Sequence, residues 1–166
     1  MPRMYLNAGV KQAMRFERKF ILPLPPEAVW LALWDIERMV ACVPGCTGAK
    51  AVEDKKHYQA TIMEKVGPFK LEIPLDIEIS EIDTSHRMKM RAVGKDARIG
   101  TEVLWDLTLM LEQQGEGTQC YITVDATVVG RLVSLGQGVI KLKGDQTIGR
   151  FAESLCASLT SAGQST

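Results

Sequence analysis

The sequence predicts an α+β domain in which a curved antiparallel sheet of about seven strands closes over one long C-terminal helix, with two short helices after the first strand. Three observations carry this reading. Between residues 69 and 80, Phe69, Leu71, Ile73, Leu75, Ile77 and Ile79 alternate with Lys70, Glu72, Pro74, Asp76, Glu78 and Ser80, the period-two mark of a strand with one buried side. The alternation returns at Val103, Trp105, Leu107, Leu109 and Leu111, and again at Cys120, Ile122, Val124, Ala126 and Val128. One sheet face is therefore broadly apolar and needs a cover. Leu132, Leu135, Val139, Leu142, Ile148, Phe151, Leu155 and Leu159 then recur at three- and four-residue steps, as in an amphipathic helix that can supply it.

The elements follow in order. Residues 1–13 lack a sustained period and are expected to be a flexible extension, whereas Met14 to Leu22 read as the first strand. Pro23, Pro25 and Pro26 end it. Pro26 suits the first turn of a helix that turns Val29, Trp30 and Leu33 one way. A second short helix is expected from Ile36 to Ala41, stopping at Val43-Pro44-Gly45. Strands are expected near 48–53, 57–66, 69–82, 86–94, 101–113 and 118–129, punctuated by Glu53-Asp54, Gly67-Pro68 and Gln114-Gly115-Glu116-Gly117. Such short connections suit an antiparallel meander. Residues 131–160 are expected to be mainly helical, with a bend or break because Gly136, Gly138, Gly144 and Gly149 weaken the helix. The single domain thus spans 14–160, and 161–166 form a short flexible tail.

Composition narrows the function. The 166 residues, 46% hydrophobic, suffice for one domain with a real core. Twenty basic and twenty acidic residues cancel, and no basic run exceeds a pair such as Lys55-Lys56, so nucleic acid is not an expected partner. No apolar run approaches the roughly 20 residues that span a bilayer, and no signal-peptide order opens the chain, so a cytoplasmic location is expected. Cys42, Cys46, Cys120 and Cys156 match neither a secreted disulfide framework nor a zinc site. Cys120 and Cys156 are expected to be buried free thiols, while Cys42 and Cys46 flank a Pro-Gly turn and could approach each other. With His57 and His86 as the only imidazoles, both expected on the outside, no metal site is expected.

This element order resembles the helix-grip fold of the START-like (SRPBCC) superfamily, and local motifs narrow the resemblance. Phe20-x-Leu-Pro-x-Pro-Pro-Glu-x-Val-Trp30 looks like the strand-to-helix entry of the carbon monoxide dehydrogenase G-subunit family. Cys42-Val-Pro-Gly-Cys46 is similar to that family's Cys-Ile/Val-Pro-Gly-Cys turn, and Val66-Gly67-Pro68 to the turn before its long strand. Val124-Asp-Ala-x-Val-x-Gly-x-Leu-x-x-Leu-Gly136 resembles its passage from last strand to terminal helix. The resemblance covers about residues 14–160. It implies a carrier of a hydrophobic small molecule, a quinone or lipid, accessory to a molybdenum hydroxylase of the carbon monoxide dehydrogenase type. It also implies transient contact with the inner membrane face. Two departures stand out. Leu71 and Leu75 replace the small residues frequent in that family, which implies a narrower cavity, and no membrane-attachment tail is expected in Ser161 to Thr166.

Catalytic signatures are missing from the sequence: there is no nucleophile elbow, Walker loop, Rossmann glycine pattern or His-Glu-x-x-His helix. No catalytic residue, metal ligand or obligatory cofactor is therefore assigned. The candidate ligand-binding set is Ile73, Ile77, Met88, Met90, Trp105, Leu107 and Val124 from the sheet, with Leu135, Gly136 and Val139 from the start of the terminal helix. Met88 and Met90 share a face, and thioethers adapt to varied apolar guests. Trp105 offers a flat ring for stacking or for core packing. Gly136 and Gly138 would let ligand or sheet approach the helix, or simply break it. Arg18 and Glu64 fall in phase with apolar neighbours. Either they reach water at an open end of the sheet, or they make a polar spot in an apolar pocket. The rival readings are a polyketide cyclase or aromatase-like enzyme using Arg18 and Glu64, and an assembly factor that docks by its surface with a filled core.

Overall fold

The computed structural model describes residues 11–83 and 86–164. Strand β1 (Lys11–Leu22) is followed by helices α1 (Pro26–Leu33) and α2 (Ile36–Cys42). Six strands come next: β2 (Cys46–Glu53), β3 (His57–Val66), β4 (Phe69–Asp83), β5 (Arg87–Asp96), β6 (Thr101–Gln114) and β7 (Gly117–Gly130). A short 3-10 helix, Arg131–Leu135, leads into α3 (Gln137–Gln164). Spatial order is β1-β7-β6-β5-β4-β3-β2, and every neighbouring pair is antiparallel. The meander from β2 to β7 follows from its tight turns. β1 alone travels far in sequence to pair with β7.

Local chemistry sets the element ends. Pro26 opens α1, where its missing N–H would have no partner in any case. Asp35 caps α2, its carboxylate accepting from Arg38 N at 3.3 Å. β1 begins at Lys11, opposite Val129, three residues earlier than the sequence suggests, and α3 runs on to Gln164 where a tail from 161 is expected, while residues 1–10 and 165–166 lie outside the described residues. The expected helix break falls at Gly136, whose φ of +93° is open to glycine and strained for other residues.

The remaining helix glycines serve packing. A Cβ at Gly144 would collide with the Phe16 ring, and one at Gly149 would lie 2.8 Å from Arg18 Nη2. Their bare backbone lets α3 settle against β1. Gly136 and Gly138 have nothing within 4 Å of such an atom, so the close approach expected there occurs about two to three turns later in the helix. Leu22, Val29, Cys120, Leu155 and Leu159 are among the most deeply buried apolar side chains shared by sheet and helices, all at most 1% exposed. The concave face of the sheet belongs to the same buried cluster, with Ile73, Leu109 and Ile122 at most 3% exposed.

Candidate functional site: a cavity between sheet and helix

A cavity of about 370 Å³ lies between the concave face of the sheet and the layer formed by α2, the Val43-Pro44 turn and α3. That volume falls in the range of small-molecule sites. Strand register explains its floor. Met14, Ala126, Trp105, Ala92, Ile77 and Tyr58 are successive cross-strand partners, forming one row across six strands, and all line the cavity. Trp105 stands between two alanines, which leave space beside its ring. The next row, Phe16, Val124, Leu107, Met90 and Ile79, continues the apolar surface. Ile140, Thr147, Ile148 and Phe151 of α3 close the other side.

Among the lining residues the charged ones are Glu64 and Lys143. They form an ion pair, Lys143 Nζ donating to Glu64 Oε1 at 2.8 Å, with side chains 26% and 23% exposed. Tyr58, Gln59 and Thr147 in the wall bond to local partners. The Tyr58 hydroxyl accepts from Lys55 N at 2.5 Å, and burial pushes its phenol above the usual range. Gln59 Nε2 donates to Asp76 Oδ1 at 3.1 Å, and Thr147 Oγ1 donates to the Lys143 carbonyl at 2.9 Å.

The structure brings together Ile73, Ile77, Met88, Met90, Trp105, Leu107, Val124 and Glu64 of the sequence-selected residues. Four others lie elsewhere. Leu135 packs on the Gly67 turn, its methyl carbons 3.2 Å from where a Gly67 Cβ would sit; Gly136 faces open space, and Val139 is 43% exposed. Within the helical period, Leu132, Ile148, Phe151, Leu155 and Leu159 are buried or line the cavity, whereas Val139 and Leu142, just after the break at Gly136, fall on the outer face of α3. Leu142 is accordingly 60% exposed. Arg18 points into a separate, open groove between β1 and α3, where its Nη2 donates to the Asp145 carbonyl at 3.3 Å. β1 is an edge strand beside the helix, and Gly149 leaves room for the guanidinium there.

Lys143 was missed by the sequence reading. Its signal lay in the inward stripe of Ile140, Lys143, Gly144, Thr147, Ile148 and Phe151, which keeps to one face of the helix. The thiols offer little chemistry: all four cysteines are free, and burial pushes Cys120 up to about 12 and raises Cys42 and Cys46. Cys156, expected to be buried, is only half-buried. His57 bonds Asp76 Oδ1 at 2.9 Å on the outer face, which holds that carboxyl below the ordinary range, and His86 is exposed.

Among the described residues no helix is long and apolar enough to cross a membrane. No curated protein matches the chain in sequence. Solved structures do match its fold. A conserved protein from Geobacillus kaustophilus superposes with a TM-score of 0.81 at 20% identity, over 90% of this chain and 97% of that one. A START superfamily protein from Mycobacterium smegmatis gives a TM-score of 0.69 at 9% identity, covering 89% and 98%. A point mutant of norcoclaurine synthase from Thalictrum flavum, solved with a transition-state analogue, gives 0.59 at 11%, covering 92% and 98%. At these identities the likeness shows the fold, a START-like helix-grip domain, and no more. The model of one family, described as the G subunit (CoxG) of carbon monoxide dehydrogenase, matches residues 19–160. With most of its length matched by that model, the chain belongs to the CoxG family of carbon monoxide dehydrogenase.

Proposed function

We propose that this protein is a nonenzymatic carrier of a hydrophobic small molecule, a quinone or isoprenoid-like lipid, accessory to a molybdenum hydroxylase of the carbon monoxide dehydrogenase type. The observation that carries the reading is the cavity itself: about 370 Å³ of space walled almost wholly by apolar side chains, many of which also belong to the buried core. Large dry voids lose dispersion contacts and destabilise a domain, so one retained at the centre of a sheet needs a use. Family membership supports the dehydrogenase link. The carrier works in the cytoplasm and touches the inner membrane face to exchange its guest.

The separation of Arg18 from Glu64 favours this reading over a cyclase or aromatase, which would need both polar groups at one substrate. The cavity likewise favours it over a docking factor with a filled core. Calorimetric titration with a short-chain 1,4-naphthoquinone tests it. Saturable one-to-one binding with a negative heat-capacity change is expected, as burial of apolar surface requires. Absence of binding by apolar probes, together with turnover of a poly-ketone substrate, would transfer the assignment to the cyclase.

A further inference from the structure

The ion pair in the cavity wall is hard to explain as a stabilising device. A partly desolvated pair typically contributes less than the apolar side chains that could replace it, so its presence in an otherwise apolar wall asks for another role. Three features of its geometry answer. Glu64 is seated from behind: its Oε2 would lie 2.9 Å from a Cβ at Gly45, and that turn is bonded to β3 by Met63 N donating to the Gly45 carbonyl at 2.7 Å. Gly45, at φ +79°, thus lets the Val43-Pro44-Gly45 turn press against the carboxylate. Lys143 stands on the inward stripe of α3, directly before Gly144. Its ammonium has three donors, and among the described residues its one hydrogen-bond partner is Glu64. Donors remain for a guest.

We infer that Lys143, positioned by Glu64, recognises the head of the ligand, so that the cavity selects molecules with an apolar body that ends in an oxygen acceptor. This rests on the carrier reading above and deepens it. A carbonyl at the end of a flat ring and a carboxylate at the end of an alkyl chain share that chemistry. In either case Lys143 keeps its bond to Glu64 and gives a second hydrogen bond to the guest. The apolar rows of the sheet take the body.

The test compares three probes that differ in the head: a 2-alkyl-1,4-naphthoquinone, the matching 2-alkylnaphthalene without oxygens, and dodecanoate. The wild type should bind an oxygen-bearing probe about tenfold more tightly than the alkylnaphthalene, the difference that one charge-assisted hydrogen bond supplies. Lys143→Met should erase that preference and leave alkylnaphthalene affinity within about twofold. The double variant Glu64→Gln/Lys143→Met, which leaves no uncompensated charge, should behave the same way and guards against misfolding of the single variant. Preference for the naphthoquinone identifies a carbonyl head, and preference for dodecanoate an acidic one. Equal wild-type binding of all three, or a preference that survives both variants, overturns the inference while the carrier reading stands. Failure of every probe to bind overturns both.

Discussion

At Gly94 on β5 the neighbouring strand β4 closes over the place a side chain would take, and Gly94→Ala is the sharpest test of that packing. Gly94 pairs with Leu75 on one side and Val103 on the other, both cavity-lining residues. A Cβ there would stand 2.5 Å from Ile73 Cγ2, 2.6 Å from the Pro74 carbonyl and 2.8 Å from Leu75 Cδ2. Each contact is roughly 1 Å inside the optimal separation for carbon neighbours. One of the three is backbone and cannot swing away, so β4 must move. Overpacking of this kind costs about 1–3 kcal/mol, and the reduced freedom of the unfolded alanine chain returns about 0.4–1 kcal/mol. The expected net loss is about 1–2 kcal/mol, or roughly 2–8 °C in Tm for a chain of this size. Urea and thermal unfolding would measure it, with Gly138→Ala as the control. Gly138 has nothing within 4 Å, so alanine there should leave stability unchanged or raise it by up to about 1 kcal/mol. An equal or higher midpoint for Gly94→Ala would refute the claim that Ile73, Pro74 and Leu75 leave no room for a side chain at position 94.

Ala126→Phe should fill space beside Trp105, lowering naphthoquinone affinity tenfold or more by calorimetry while changing stability by no more than about 1–3 kcal/mol. Asp96, 3% exposed, accepts from Glu72 N at 2.9 Å and from Arg98 N and Nη2 at 3.1 Å, and the Glu72 bond above all holds its carboxyl below the ordinary range. A carboxyl depressed on folding contributes stability that is full above its unfolded value, about 3.9, and is lost as pH falls through the lower folded value. Asp96→Asn should therefore destabilise the protein by about 1–3 kcal/mol at neutral pH and flatten the acid limb of a stability profile followed by circular dichroism. Cys120, fully buried with its thiol pushed up to about 12, should resist iodoacetamide at pH 8 in the folded protein and react once urea unfolds it, as peptide mass spectrometry would show.

Strand alternation made the sheet legible in the sequence because each strand has one buried face, and the same parity placed Ile73, Ile77, Met88, Met90, Trp105, Leu107 and Val124 on the concave side. Parity cannot distinguish a core from a cavity wall. Leu109 and Leu22 look alike in sequence and both belong to the buried core, yet Leu109 also lines the cavity and Leu22 does not. Of the two readings open for Arg18, the structure bears out the one that reaches water, because inward phase on an edge strand need not lead inward once a helix glycine offers the side chain another path. Lys143 escaped notice because the phase of α3 was read across the break at Gly136, a break whose existence the glycines announced but whose position depends on tertiary packing.

The central claim, that an apolar guest occupies the space between sheet and helix, is tested most directly by methionine-methyl NMR during titration with a 2-alkyl-1,4-naphthoquinone. Met88 and Met90 line the cavity, whereas Met63 and Met110 are 55% and 45% exposed on the outside and serve as internal controls. The methyl resonances of Met88 and Met90 should shift saturably and show contacts to ligand protons, while those of Met63 and Met110 stay in place. Shifts confined to Met63 or Met110, or no saturable shift at Met88 and Met90, would contradict the claim.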